Sequence, residues 1–233
     1  MIEVRPFETL GRFENDWLSA RYHFSFADYR DPARMGFGPL RVWNDDMIQP
    51  QRGFDYHGHR DMEIITYIRR GAITHGDHLG NRGRTEAGDV QVMSAGKGIM
   101  HAEFNMEQEP TTLFQIWIEP AARAVAPRWA QRRFPVSDRA GRFSVLASGR
   151  ASDGADALPI HQDAALLGVT LRRGQSATHA IGAARRAYLV PATGRITVNG
   201  AAAKARDGIA VTAEEQIVIQ AEDDSEIVLV DLP

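Results

Sequence analysis

The sequence predicts an all-β protein, built as a sandwich or barrel of many short strands. Three observations predict it. Strand-like runs recur along the 233 residues, glycine-bearing turns separate them, and helical periodicity is scarce. In order, strand runs fall at residues 62–68, 89–93, 113–118, 185–190, 195–198, 216–219 and 227–229. Turns fall at Arg70-Gly71, Leu79-Gly80-Asn81, Ala87-Gly88-Asp89, Thr193-Gly194 and Asn199-Gly200. Glycine and asparagine there supply the backbone freedom that tight turns need. Short helices are expected only at residues 127–132 and 163–167.

An internal repeat divides the chain. Gly71-Ala72-Ile73-Thr74 aligns with Gly194-Arg195-Ile196-Thr197, an offset of 123 residues (194 minus 71). Further on, the run ending His101-Ala102-Glu103 aligns with the run ending Gln220-Ala221-Glu222, an offset of 119 (220 minus 101). The length also fits two domains, expected at residues 1–135 and 136–233. The last strands of the second domain are allowed to pack on the first.

Composition narrows the function. Apolar residues make up 43% of the chain, enough for a real core, and the formal net charge is -3. That balance excludes a strongly basic nucleic-acid binder and gives no sign of an anionic membrane partner. The absence of cysteine excludes disulfides and thiol catalysis. Met1-Ile2-Glu3-Val4-Arg5-Pro6 is not the basic and then apolar start of a signal peptide. No run approaches the ~20 apolar residues of a membrane helix. The expectation is a soluble, cytoplasmic monomer.

Two short pairs carry the chemistry: His57-Gly58-His59 and His101-Ala102-Glu103. Residues two apart on a strand share a face, so each pair can grip from one side. A lone H-x-H is a weak signal. Two such pairs on facing strands would converge three imidazoles and a carboxylate. That set suits a first-row transition metal with open positions for chemistry. Carried through the repeat, His57 falls on Ala180, His59 on Gly182, His101 on Gln220 and Glu103 on Glu222. The metal site is therefore expected once, in the first half.

The sequence around these pairs resembles a family. Phe24-Ser25-Phe26-Ala27-Asp28-Tyr29, Gly36-Phe37-Gly38-Pro39-Leu40-Arg41-Val42 and Asn44-Asp45-Asp46 resemble the amino-terminal signature of the pirins. Gly53-Phe54 through His57, His59, Asp61-Met62-Glu63-Ile64 resembles their first cupin motif. Gly88-Asp89-Val90-Gln91-Val92-Met93 through His101, Glu103 and Asn105 resembles the second, and Gln115-Ile116-Trp117 continues the match. Pirins are bicupins, and the likeness is nearest to bacterial members with described quercetin 2,3-dioxygenase activity.

The resemblance implies two stacked β-barrels (double-stranded β-helices) with a few short helices. It implies metal ligands His57, His59, His101 and Glu103, with Glu103 also the catalytic base. Iron(II) is the expected ion, with Cu, Ni, Co, Mn and Zn as alternatives. The implied reaction joins dioxygen to a small aromatic substrate, a flavonol such as quercetin. The alternative within the same family is a metal- or redox-sensing regulator that binds a protein partner. Pirins usually carry proline between the first two histidines, where this chain has Gly58.

Other residues have plainer readings. Glu63 occupies the carboxylate position of the general cupin pattern, but the resemblance favours Glu103. Glu63 is then expected beside the site, orienting a ligand or lining a wall. His75 is expected in a turn or on the surface, His23 packed among aromatics, and His161 and His179 structural or exposed. Gly96-Lys97-Gly98 lacks the phosphate-loop frame and is expected as a tight turn.

Overall fold

The computed structural model describes residues 1–233. The chain divides into two compact units. The amino-terminal unit holds residues 11–134 and 158–162, and the carboxy-terminal unit holds 1–10, 135–157 and 163–233. The single cut expected at 135 is corrected at two places. Residues 1–10 belong to the carboxy-terminal unit, and 158–162 to the amino-terminal one.

The first strands are β1 (Ile2–Arg5), β2 (Gly11–Glu14), β3 (Leu18–Tyr22), β4 (Leu40–Ile48), β5 (Arg52–His59), β6 (Glu63–Arg70), β7 (Ala72–Asp77), β8 (Arg82–Glu86), β9 (Val90–Ser94), β10 (Ile99–Asn105), β11 (Thr111–Ile118) and β12 (Arg128–Arg132). The rest are β13 (Ser144–Ser148), β14 (Leu158–Pro159), β15 (Ala165–Leu171), β16 (Ser176–Ala180), β17 (Arg186–Thr193), β18 (Arg195–Val198), β19 (Ala201–Lys204), β20 (Gly208–Thr212), β21 (Gln216–Ala221) and β22 (Ser225–Leu232).

In the amino-terminal unit a large sheet runs β12-β9-β6-β11-β4-β3-β2 and a small one runs β5-β10-β7-β8. In the carboxy-terminal unit the large sheet runs β1-β20-β17-β22-β15-β13 and the small one β16-β21-β18-β19. Six places of the large sheets and all four of the small ones match, so the repeat extends to the sheets. Each expected barrel is realised as two sheets packed face to face. The carboxy-terminal core joins Leu167, Leu189 and Leu229 of the large sheet to Ile196, Ile217 and Ile219 of the small one. The edge place that β12 fills in one unit is filled in the other by β1, whose Ile2 pairs with Val211. Ile2 and Val4 pack on that core, which is why the first residues belong there.

The two expected helices are strands. Residues 165–171 form β15, buried along almost all its length between β13 and β22. An apolar run with no polar face reads equally as a buried helix or a central strand, and sheet pairing decides it. Residues 128–132 form the edge strand β12, with Arg128 opposite Ser94.

The repeat's glycines have one physical cause. Gly71 has φ 78° and Gly194 φ 81°, a region open to glycine. A Cβ on Gly71 would stand 2.5 Å from Thr111 Oγ1, and one on Gly194 2.1 Å from Ser225 Oγ.

Strand register corrects the second half of the sequence alignment. Thr74 lies opposite Phe104, and its repeat partner Thr197 lies opposite Gln220. Gln220 is therefore the counterpart of Phe104, not of His101. His101 matches Ile217 and Glu103 matches Ile219. Because His101 faces His57 and Ile217 faces His179, His57 matches His179. Following the same strand, His59 matches Ile181.

Candidate metal centre

β5 and β10 build the centre. They run antiparallel with His101 directly opposite His57, so the two side chains share a face, and His59 joins them two residues along β5. Ring centroids of His57 and His101 are 4.5 Å apart, those of His57 and His59 4.8 Å, and those of His59 and His101 5.0 Å. One nitrogen from each of the three lies within 4.8 Å of the other two. Trp117 closes one side, its ring 4.9 Å from His59. A Cβ on Gly58 would stand 2.8 Å from Met100 Sδ, so the residue between the two β5 histidines sits close under β10.

The imidazoles are prepared as ligands. Burial, then the charge of His57, pushes His59 down to about 4. Burial, then the neighbouring imidazoles, pushes His101 down to about 2. Both are neutral at physiological pH, the form that binds metal. His57 Nδ1 lies 2.7 Å from the Asp55 carbonyl oxygen. That oxygen only accepts, so Nδ1 carries a proton and Nε2 is the nitrogen turned to a metal. His101 Nε2 is buried without a hydrogen-bond partner. An orphaned buried nitrogen beside two more imidazoles fits a metal ion and is costly without one.

Glu103 lies behind His101. A bulge shifts the β5–β10 register between His101 and Glu103, leaving Glu103 opposite Phe54 on one side and His75 on the other. Its carboxylate oxygen groups with nitrogens of His75 and His101, again within 4.8 Å. Gln91 Nε2 donates to Glu103 Oε1, and Gln115 Nε2 donates to Oε2 at 3.0 Å. Gln115 Oε1 accepts from Trp117 Nε1 at 3.1 Å, and Thr85 Oγ1 donates to Gln91 Oε1 at 3.1 Å. Burial pushes Glu103 up to about 7 against the pull of both amides. The result is a carboxyl that can take up or release a proton near neutral pH.

Two expectations need correction, those for Glu63 and His75. Glu63 is not beside the ligands. The strand breaks at residues 60–62, and Glu63 opens β6 in the other sheet, where Ser94 Oγ donates to its Oε2 at 2.6 Å. Burial raises its pKa, with Ser94 and then His161 opposing. It faces His161 rather than the ligand imidazoles. His75 is neither in a turn nor on the surface. It is fully buried on β7, stacked on Trp129 at 4.7 Å and 4°. His179 is a partly buried structural residue, its Nε2 2.8 Å from Asp231 Oδ2. His23 is buried 6.1 Å from Trp43, as expected.

Sequence reasoning missed the polar wall that faces the ligands. Asn44 lies opposite Gln115, and Asp46 opposite Leu113, so both point from the large sheet the same way as Gln115. Asn44 Oδ1 and Asp46 Oδ1 are buried without a partner. Burial, then Asp45 and Glu103, pushes Asp46 well above the carboxylate range, with Arg69 opposing. The available signal was polar residues inside otherwise apolar strands. Open clefts flank the ligand strand: one of about 480 Å³ reaches His57 past Trp17, Arg52, Phe54 and Tyr56, and one of about 350 Å³ reaches His59 past His78 and Met100.

Two units of like strand order, one with a three-imidazole cluster and one with an aliphatic interior, define a two-domain cupin with a single candidate metal centre. The pirin family matches residues 3–118, and the family described as quercetinase C-terminal cupin domain matches residues 145–232. The chain belongs to the pirin family.

Relatives match along the full length. A pirin-like protein of Caulobacter vibrioides is 58% identical over 231 residues, covering 99% of both chains. A quercetin 2,3-dioxygenase of Escherichia coli K12 is 42% identical over 234 residues, covering 100% of this chain and 99% of that one. The crystal structure of the bacterial pirin YhhW of Escherichia coli, in complex with nickel(II), superposes with a TM-score of 0.93 at 41% identity, covering 100% of this chain and 99% of the other.

Proposed function

We propose that the chain is a metal-dependent dioxygenase that opens a flavonol such as quercetin with dioxygen and releases carbon monoxide. One observation carries the proposal. Three imidazoles converge, with His101 Nε2 free of any protein partner, beside a buried carboxyl that titrates near neutral pH. The names of the relatives support the substrate class, and the nickel(II) complex of the Escherichia coli pirin supports a divalent metal in a protein of this fold.

His57, His59 and His101 hold the ion, with Glu103 as the fourth ligand once its side chain turns off one of its two amides. Iron(II) is the first choice, because imidazole and carboxylate ligands with open positions suit it for oxygen chemistry. When bound, the ion supplies Lewis acidity to the substrate's 3-hydroxyl oxygen and a meeting place for dioxygen.

The chain's own residues do the rest. Glu103 accepts the 3-hydroxyl proton on a carboxylate oxygen, and whichever of Gln91 and Gln115 it keeps steadies that carboxyl. A base with a pKa near the working pH is best matched to this task. Asn44 Oδ1 and Asp46 Oδ1 accept hydrogen bonds from substrate hydroxyls. Trp117 and the aromatic cleft at Trp17, Phe54 and Tyr56 receive the flat rings. Both dioxygen atoms stay in the ring-opened ester and carbon monoxide leaves, so no outside reductant is required.

The test is oxygen uptake and carbon monoxide release with quercetin on iron-loaded protein. The His101→Ala variant loses uptake with its metal. Glu103→Gln keeps its metal and loses about 100-fold or more of the rate. No uptake by the iron-loaded wild type sinks the enzymatic proposal and leaves the protein-binding regulator. Near-normal turnover of metal-loaded Glu103→Gln removes Glu103 as the base.

A further inference from the structure

We infer that His75 and Asp77 are positioning residues that fix which nitrogen of His101 carries the proton, and so keep the other free for metal. The inference rests on His101 as a ligand, but not on the dioxygenase reaction.

The argument runs inward from Asp77. Its Oδ1 accepts from Leu79 N at 3.0 Å, from Asn81 N at 3.1 Å and from Asn81 Nδ2 at 3.2 Å, which pins the carboxylate. Its Oδ2 accepts from Asn81 Nδ2 at 2.9 Å and lies 3.0 Å from His75 Nε2. A carboxylate only accepts, so His75 Nε2 carries a proton and a neutral His75 ring keeps Nδ1 as an acceptor. His75 Nδ1 lies 3.4 Å from His101 Nδ1. The proton in that contact then belongs to His101 Nδ1, which leaves His101 Nε2 unprotonated. Nε2 is the buried atom with no protein partner.

Geometry keeps His75 in this role. Its ring is fully buried and lies parallel to Trp129, 4.7 Å away. It cannot swing to solvent without losing that stack, and turning over would take Nε2 from Asp77 and Nδ1 from His101. In the carboxy-terminal unit the counterpart of His75 is Val198, so the chain of contacts is absent where the imidazole cluster is absent.

Asp77→Asn gives a result that packing alone would not. Two backbone N–H groups hold the Oδ1 position, so the amide oxygen stays there and the NH2 faces His75 Nε2. Each proton along the chain then moves to the opposite nitrogen, and His101 ends with hydrogen on Nε2. Loss of a ligand's supporting partner typically weakens metal binding about 10- to 100-fold.

The experiment uses the full-length, metal-free chain. Nickel(II) affinity is measured by titration, and imidazole tautomers are read by 15N NMR. Wild type shows His101 protonated on Nδ1. Asp77→Asn shows it protonated on Nε2 and binds nickel about 10-fold or more weakly. His75→Leu binds weakly with mixed tautomers. His75→Gln keeps an acceptor toward His101 and a donor toward Asp77, and recovers most of the affinity. Unchanged affinity and tautomer in Asp77→Asn and His75→Leu overturn the inference. It is also overturned if X-ray absorption counts one imidazole fewer on nickel in His75→Gln, since His75 is then itself a ligand. A wild type that binds no nickel refutes the metal centre instead.

Discussion

The amino-terminal and carboxy-terminal units share a strand order but fill it with opposite chemistry. Matched through the strand registers, Thr66 corresponds to Leu189, Gln91 to Ile209, Gln115 to Leu229 and Asn44 to Leu167. In the small sheets Thr85 corresponds to Ala203, His75 to Val198, His101 to Ile217 and Glu103 to Ile219. The first member of each pair belongs to the polar surroundings of the metal centre, and the second belongs to one aliphatic core. The backbone scaffold is therefore indifferent to what its interior does. The carboxy-terminal unit shows what this sandwich looks like built for stability. The amino-terminal unit shows the same sandwich with that stabilisation given up for a site. Only His57 keeps an imidazole at its counterpart, His179, and there the ring bonds Asp231.

The sharpest way to break the comparison is metal content. His101→Ala in the amino-terminal unit lowers bound nickel by about 10-fold or more, while His179→Ala leaves it unchanged. Elemental analysis after dialysis decides, and metal lost from His179→Ala would show that both units bind.

A smaller effect comes from exchanging interiors. Leu229→Gln puts an amide into a core with no partner and costs about 3 kcal/mol. Gln115→Leu costs about 1 kcal/mol, because Glu103 keeps Gln91 and can remain protonated. Hydrogen exchange resolved by unit measures both, and equal losses would remove the distinction between the interiors.

Where the units agree, substitutions should agree. Gly71→Ala and Gly194→Ala each cost about 2 kcal/mol, since both force a Cβ at positive φ against a buried hydroxyl. A gap of more than about 1 kcal/mol between them would mean that the turns are not equivalent.

The smallest effect is on pH dependence and belongs to the carboxy-terminal unit. Burial raises Asp231, but hydrogen bonds from His179, Arg185 and Arg150 together outweigh it and hold the carboxyl below the usual range. A depressed folded-state pKa gives stability that is present above the unfolded value of about 3.9 and is lost as pH falls through the folded one. Acid unfolding of this unit should begin below about pH 4, and Asp231→Asn should flatten that limb by on the order of 1 kcal/mol. An unchanged acid limb in Asp231→Asn would remove the group as its cause.

Much of this was legible in the sequence. His57, His59 and His101 were found because strand alternation is local: a spacing of two fixes a shared face whatever lies across the sheet. Gly71 and Gly194 were found for a similar reason, since a turn's demand on φ is met within a few residues. Glu63 and Glu103 could not be separated by spacing alone, because each lies an even number of residues from a histidine. A break at residues 60–62 sends Glu63 into the other sheet, and the sequence pattern does not show it. His75 was misjudged because its partners Asp77, His101 and Trp129 come from three strands.

The sequence by itself determined the all-β class, the repeat, the three-imidazole set and the family. Each depends on short-range periodicity or on an ordered series of residues. Only the tertiary structure decided that Glu103 sits behind His101 under two amides and that His75 and Asp77 stand behind the same histidine. It alone decided that the first strand completes the second unit, and that His101 answers to Ile217 rather than Gln220. All of these depend on register between strands distant in the chain. A shift of a single residue turns every side chain to the other face, and that register is set by the packing of whole sheets.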